Sequence, residues 1–300
     1  MRRFLLFAAS GALLVFLLWK VFGPRPSNDR GWTPDQALLP WAEIEGRSVR
    51  VHNVRHARYR STEDYDIAWE ERTYDLDRLR SAWFVVEPFG EWQGPAHTLM
   101  SFGFEGDSSE ENDYLAVSVE IRKERGEEFS PWQGLARRYE VMYVVGDERD
   151  LIRLRTNHRR DEVYLYPVRA PRERIEQMLV SMLRRANRLR EEPEFYNTLT
   201  NSCTTNIVRH VNELIPGRVP WSYKVILPGY SDELAYDLGL IDTDLPFAEA
   251  KRRFRIDEKA QRLGDREDFS VAIRQGSLSP GTGERAGERG NGINPDGRGR

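Results

Sequence analysis

The spacing of apolar residues changes once along this chain, near Pro171, and that change limits the folds open to it. Upstream, apolar residues alternate with polar ones. Residues 114–122 (YLAVSVEIR) are the plainest case: Leu115, Val117, Val119 and Ile121 share one face, and Ser118, Glu120 and Arg122 share the other. Residues 48–59, 66–74, 82–89, 97–104, 139–145 and 162–168 read as further strands, several rich in β-branched and aromatic residues. Downstream the period becomes helical. Pro171 opens a helix with Ile175, Met178, Leu179, Met182, Ala186 and Leu189 on one stripe, ending before Pro193. A second helix follows Cys203, with Ile207, Val208, Val211 and Leu214 inward, and stops at Pro216-Gly217. Strands followed by helices predict an α+β fold.

The two ends of the chain differ from this body. Residues 4–22 hold one charge, Lys20, in 19 residues. As a helix they span about 28 Å, close to the ~30 Å hydrocarbon core of a bilayer. Arg2 and Arg3 favour a cytoplasmic N-terminus. A cleaved signal peptide needs an A-x-A-like site, and Lys20-Val21-Phe22-Gly23-Pro24 does not supply one. The reading is an uncleaved signal anchor, a transmembrane helix over 1–22 with the body outside the cytoplasm. No cysteine lies directly after the anchor, so the chain is not expected to be a lipoprotein itself. Residues 23–47 read as linker and domain entry, and 48–269 as the domain. Residues 276–300 hold eight glycines in 25 residues and almost no apolar groups. A tail over 270–300 is therefore expected to be disordered, since it cannot offset its chain entropy by burial. A net charge of −3 gives no footprint for nucleic acid.

The chain has one cysteine, which excludes an internal disulfide and any Cys-rich metal site. It lies in Asn201-Ser202-Cys203-Thr204-Thr205-Asn206, at the start of the second helix. Asn201 or Ser202 can cap that helix, so Cys203 falls in the first turn, where free N–H groups and the helix dipole favour a thiolate. A buried structural cysteine is the plain alternative. The polar neighbours and the oxidising compartment count against it, because an unpaired thiol there is a liability unless it is used.

A nucleophilic cysteine needs a base. His210 sits seven residues further along the same helix, about 10 Å up its axis, too far for a direct bond; it reads as a packing or surface residue. His158 lies in a polar loop, and His56 between Arg55 and Arg58, so both are expected to be solvated. His52 can point inward from a strand. His97 follows Gly94-Pro95-Ala96 and begins an apolar strand, a position that can project into a cleft. His97 ranks first as the base and His52 second. Glu120 or Ser118, on the polar face of the next strand, can orient the imidazole if the two strands pair; otherwise Glu120 is a solvent-facing glutamate.

Other chemistries find no motif. There is no H-E-x-x-H, no phosphate-binding glycine loop and no G-x-S-x-G, and no cofactor is expected. The cluster Asp107, Glu110, Glu111 and Asp113 reads as a solvated loop, with weak calcium binding a distant second. Arg184, Arg185, Arg188 and Arg190 read as the wet face of a helix, and Arg149, between Glu148 and Asp150, as local ion pairing.

Taken in order, VHNVRHARYRSTEDYD, ERTYDLDRL, HTLMSFGF, YLAVSVEIRKERGEEFS, YEVMYVVGDERDLIRLRTN, DEVYLYPV and YNTLTNSCTTNIVRHVN resemble the Lnb N-terminal periplasmic domain family, over about residues 48–269. That resemblance implies a permuted papain-like fold, with an antiparallel sheet packed against C-terminal helices and His ahead of Cys in sequence. It implies Cys203 as nucleophile, His97 as base and, by position, Glu120 as the third member. It also implies a membrane-anchored periplasmic acyltransferase of the bacterial inner membrane, acting through a thioester on lipoproteins or phospholipids. A cysteine hydrolase of envelope peptides or amides, and a non-catalytic envelope binding module, are the alternatives. The family's acyltransferases continue into a multi-spanning membrane part; this chain ends in its Gly-rich tail, which leaves room for a separate membrane-protein partner.

Overall fold

The computed structural model describes residues 23–90, 92–106 and 112–276. The expected anchor, the residues Asp107, Glu110 and Glu111, and the tail beyond Gly276 lie outside them. Among the described residues no helix is long and apolar enough to cross a membrane.

The strands are β1 (Trp41–Glu45), β2 (Ser48–Tyr59), β3 (Tyr65–Asp75), β4 (Leu79–Pro88), β5 (Ala96–Phe104), β6 (Asp113–Arg122), β7 (Glu140–Asp147) and β8 (Tyr164–Pro167). They form one sheet in the order β1-β2-β7-β6-β5-β4-β8, with β3 also paired to β2. The ladders from β7 to β8 are antiparallel, and β2 meets β7 in parallel at Arg55↔Gly146. A bulge between Val51 and Val54 bends β2; Asn53 takes a positive φ of 57° there, a conformation that asparagine tolerates better than most residues. The helices are α1 (Pro131–Leu135), α2 (Glu148–Arg153), α3 (Arg172–Glu191), α4 (Cys203–Leu214), α5 (Tyr223–Ile226), α6 (Ser231–Asp237), α7 (Phe247–Arg253), α8 (Asp257–Leu263) and α9 (Phe269–Ala272). The fold is mixed α+β.

Both faces of the sheet are covered. On one, Val117, Val119, Phe102 and Met100 meet the stripe Ile175, Met178, Leu179 and Met182 of α3, together with Ile207 of α4. On the other, Trp83, Val85, Leu99, Ala116 and Met142 meet Leu151 and Ile152 of α2 and Ile256, Ala260, Phe269 and Ile273 from the C-terminal segment. This second layer explains why the central strands are apolar on both faces rather than one.

Several sequence expectations are corrected. The folded body starts before residue 48 and runs past 269: Trp32 is buried, β1 adds a strand within 23–47, and Ile273 and Arg274 are buried. The DERD segment is not paired locally. Glu148 takes Arg274, Asp150 takes Arg55, and Arg149 takes Asp265, because adjacent residues on a helix do not face one another. Arg185 is not on a wet face: it is buried and bidentate on Glu194, at 2.7 and 2.6 Å.

Candidate functional site

The site forms where β5 begins and α4 begins. A capping box fixes the helix start: Ser202 Oγ accepts from the Thr205 N–H, and Thr205 Oγ1 accepts from the Ser202 N–H at 2.7 Å. The Cys203 and Thr204 N–H groups, at the first two helical positions, lie beyond reach of any helical carbonyl. Cys203 is free and buried. Thr204 ties the helix start to the sheet through Thr98, hydroxyl to hydroxyl at 2.9 Å, and lies 3.8 Å from Cys203 Sγ.

His97 enters from β5, one residue before Thr98. The β5–β6 ladder pairs Leu99 with Ser118, so its continuation sets His97 opposite Glu120. On the other side β4 pairs Glu87 with His97. The imidazole therefore stands in a cross-strand row between two carboxylates, since directly opposed residues share a face. His97 Nε2 is 2.7 Å from Ser118 Oγ and 3.2 Å from Glu120 Oε1. The Ser118 hydroxyl donates to Glu120 Oε1 at 2.7 Å. With that donor direction the network assigns Nε2–H to His97, donating to Ser118. Nδ1 is then the ring nitrogen left free of this network, and the imidazole is close enough to Cys203 to act on the thiol electrostatically.

Arg155, buried on the far layer, holds both carboxylates. Its Nε donates to Glu87 Oε2 at 2.6 Å and its Nη2 to Glu120 Oε1 at 2.9 Å. A buried guanidinium between two acids keeps both charged and fixes the row. Burial alone would push Glu120 up; His97 and Arg155 outweigh it and hold Glu120 well below the usual carboxylate range. Burial likewise opposes charge on His97, yet Glu120 and Cys203 raise the imidazole to about 10. Burial opposes a thiolate at Cys203, and the His97 charge, the His97 hydrogen bond and the Thr98 N–H and hydroxyl together bring it down to about 7. These shifts favour the thiolate–imidazolium form of the pair, with the proton on His97.

The structure brings Cys203, His97 and Glu120 together, and Ser118, the alternative orienting group, bridges the last two. Sequence reasoning missed Glu87, Arg155 and Tyr196. Tyr196 is buried beside the thiol, and burial, Cys203 and Glu120 keep its phenol protonated. The other histidines are occupied elsewhere. His52 stacks on Trp41 with ring centroids 3.7 Å apart. His56, expected to be solvated, sits against Asp147 with its side chain 15% exposed. His158, expected in a polar loop, lies in the π-helical turn Leu154–Arg159, its ring 5.7 Å from that of Tyr59. His210 is buried between Tyr143 and Ser181, at 2.7 Å from each hydroxyl. Among the described residues no group of three or more His, Cys, Asp or Glu is placed to hold a metal ion.

A cavity of about 200 Å³ opens between the sheet and the helices. Its walls are almost wholly apolar, with Met100 from β5, Ile175 and Met178 from α3, and Ile207 and Val211 from α4. Thr204, the residue after Cys203, is part of its lining.

A mixed α+β body with a buried thiol at a helix start, a strand histidine against it and a carboxylate behind that histidine defines a protein with a Cys–His–carboxylate constellation. Residues 65–229, just over half of the chain, match the Lnb N-terminal periplasmic domain, and the chain belongs to that family. No curated protein and no solved structure matches it. The family makes it a periplasmic protein of the cell envelope.

Proposed function

We propose that this protein is a cysteine acyltransferase of the periplasm, with a permuted papain-like arrangement in which His97 precedes Cys203 in sequence. Cys203 is the nucleophile, His97 its proton partner and Glu120 the orienting carboxylate. The thiolate attacks the carbonyl carbon of a lipid ester, and the N–H groups at the start of α4 face the developing oxyanion. The C–O bond breaks as the His97 imidazolium gives its proton to the leaving alkoxide, which departs as an alcohol. The acyl group stays on sulfur as a thioester. An amine then attacks that carbonyl, His97 takes the amine proton, and the thiolate is released as the amide forms.

The observation that carries this reading is the apolar cavity whose lining includes Thr204, the residue that follows Cys203. A peptide hydrolase needs polar partners for a peptide backbone, whereas these walls suit a hydrocarbon chain. Residues 4–22, as an uncleaved signal anchor in the inner membrane, would raise the local concentration of lipid substrate. The test is mass spectrometry of lipoprotein N-termini and lyso-phospholipid in cells with the protein, without it, and with Cys203→Ala. Acylated N-termini and lyso-lipid should both require Cys203. Unchanged acylation in cells lacking the protein refutes the reading, and release of peptides from purified cell wall favours the hydrolase. Val211→Trp, which fills the cavity, should shift the product toward shorter acyl chains while iodoacetamide still labels Cys203.

A further inference from the structure

The site lies at one end of the sheet, and that end carries the exposed aromatic residues among those described. There β4 ends, β5 begins, β6 ends and β7 begins. Trp92 follows β4 in the loop before β5. Phe129 and Trp132 lie in the connection from β6 to β7, and Trp132 is 79% exposed. Trp221 and Tyr223 lie at α5, with Trp221 67% exposed. Contacts join these segments. The Phe89 and Phe129 rings meet edge to face at 6.4 Å. Gln93 Nε2 donates to the Gly229 carbonyl at 3.3 Å, and the Gly229 N–H donates to Gly94 at 3.0 Å. Tyr230, the next residue, packs on Tyr223. Thr198 Oγ1 donates to the Pro131 carbonyl at 3.0 Å, so the turn before Cys203 belongs to the same face.

The beginning of the described chain arrives at this end too. The Thr33 N–H donates to Lys123 at 3.0 Å and the Arg125 N–H to Gly31 at 2.9 Å. The Ser27 N–H donates to Glu140 Oε1 at 3.1 Å. Pro24 and Pro26 line a cleft with Asn197 and Thr200, beside the cysteine turn. Four residues, Gly23 to Pro26, separate the apolar run at 4–22 from that first anchoring bond. Fully extended they reach about 14 Å.

We infer that this end of the body docks on the bilayer surface, with Trp92, Trp132 and Trp221 at the level of the lipid headgroups and the approach to Cys203 facing the lipid. The inference rests on the reading of residues 4–22 as a membrane anchor. Given that anchor, a tether of about 14 Å keeps this face close to the membrane. Single exposed apolar residues are ordinary on soluble surfaces. Tryptophans and a tyrosine gathered at one end, where the chain also leaves toward an apolar run, have the chemistry of an interfacial belt, apolar ring inward and polar N–H or O–H outward.

The test uses the full chain in liposomes of phosphatidylethanolamine and phosphatidylglycerol that include lipid brominated near the glycerol end of its acyl chains. Bromine quenches tryptophan fluorescence at short range. The protein should float with the liposomes and lose emission. Trp92→Phe, Trp132→Phe and Trp221→Phe should each remove part of the quenched emission, and together most of it beyond the share of Trp19. Trp69→Phe, on β3 away from this end, should remove none. Failure to float overturns the anchor premise. Flotation with quenching unchanged in the triple variant overturns docking while leaving the anchor standing. Quenching that disappears in nanodiscs holding one copy assigns the face to a second copy and also overturns the inference.

Discussion

At the residue scale the decisive feature is that two opposed shifts share one cause. The carboxylate of Glu120 raises His97, and the charged His97 lowers Cys203. The thiolate is therefore present above about 7, and the imidazolium survives to about 10. Iodoacetamide alkylation of Cys203 should rise through a midpoint near 7, below the ~8.5 of an ordinary thiol. Glu120→Gln removes the charge that holds the proton on His97. The imidazole should fall, the thiol should climb, and the alkylation midpoint should move up by about one pH unit or more. An unchanged midpoint in that variant would remove Glu120 from the network. The sequence carried Cys203 through its position at a helix start, and His97 and Glu120 through strand position together with the family resemblance. It did not carry Glu87 or Arg155. Glu87 reads as an ordinary strand residue, and Arg155 belongs to a π-helical turn whose burial depends on the whole second layer. Nothing local marks either one.

At the scale of elements, α4 is held in place by its start and by its middle. The start is the capping box and the Thr98–Thr204 contact. The middle is His210, closed between Tyr143 of β7 and Ser181 of α3. Burial, with Arg185, Arg209 and Arg188 nearby, drops this imidazole to about 3, so it packs neutral. Its folded value lies below the ~6.5 of the unfolded chain. Between those values the unfolded state takes a proton that the native state refuses. Stability is then full above about 6.5 and is lost as pH falls toward 3, at about 1.4 kcal/mol per pH unit from this group alone. Urea unfolding at pH 7.5 and at pH 5 should show a drop in the wild type. His210→Gln should start less stable at neutral pH but lose less on acidification. An equal loss in both proteins would show that His210 does not couple acid to the seating of α4. The sequence left this histidine as a packing or surface residue, since seven positions from Cys203 is too far to serve the thiol. Its partners were not legible, because they come from a strand and a helix distant in sequence.

At the scale of the whole molecule, strand alternation and helical stripes located β2 to β8, α3 and α4 to within a few residues, because each follows a local period. The second layer had no such signal. It is built from short helices and single apolar residues, among them Phe269 and Ile273, in a stretch whose composition drifts toward that of the Gly-rich tail. The same segment brings Arg274 across the sheet to Glu148, where its Nη1 and Nη2 donate at 2.8 and 2.5 Å and its guanidinium lies 3.6 Å from the Tyr114 ring centroid. Glu148 begins the helix whose Asp150 holds Arg55, and that helix leads into the turn carrying Arg155. The C-terminal segment thus supports the layer that fixes the carboxylates behind His97. Ending the chain after Asp268 removes Phe269 and Ile273 from the core and leaves Glu148 buried without its cation. Losing one partner of a buried pair costs about 3–5 kcal/mol before the lost apolar contacts are added. Ending it after Gly276 removes none of these contacts. Thermal unfolding of the two truncations should therefore separate sharply, with the longer one close to the full chain and the shorter one melting far lower or failing to fold. If both melt with the full chain, the second layer does not depend on this segment, and Arg155 must be held by α2 and its π-helical turn alone.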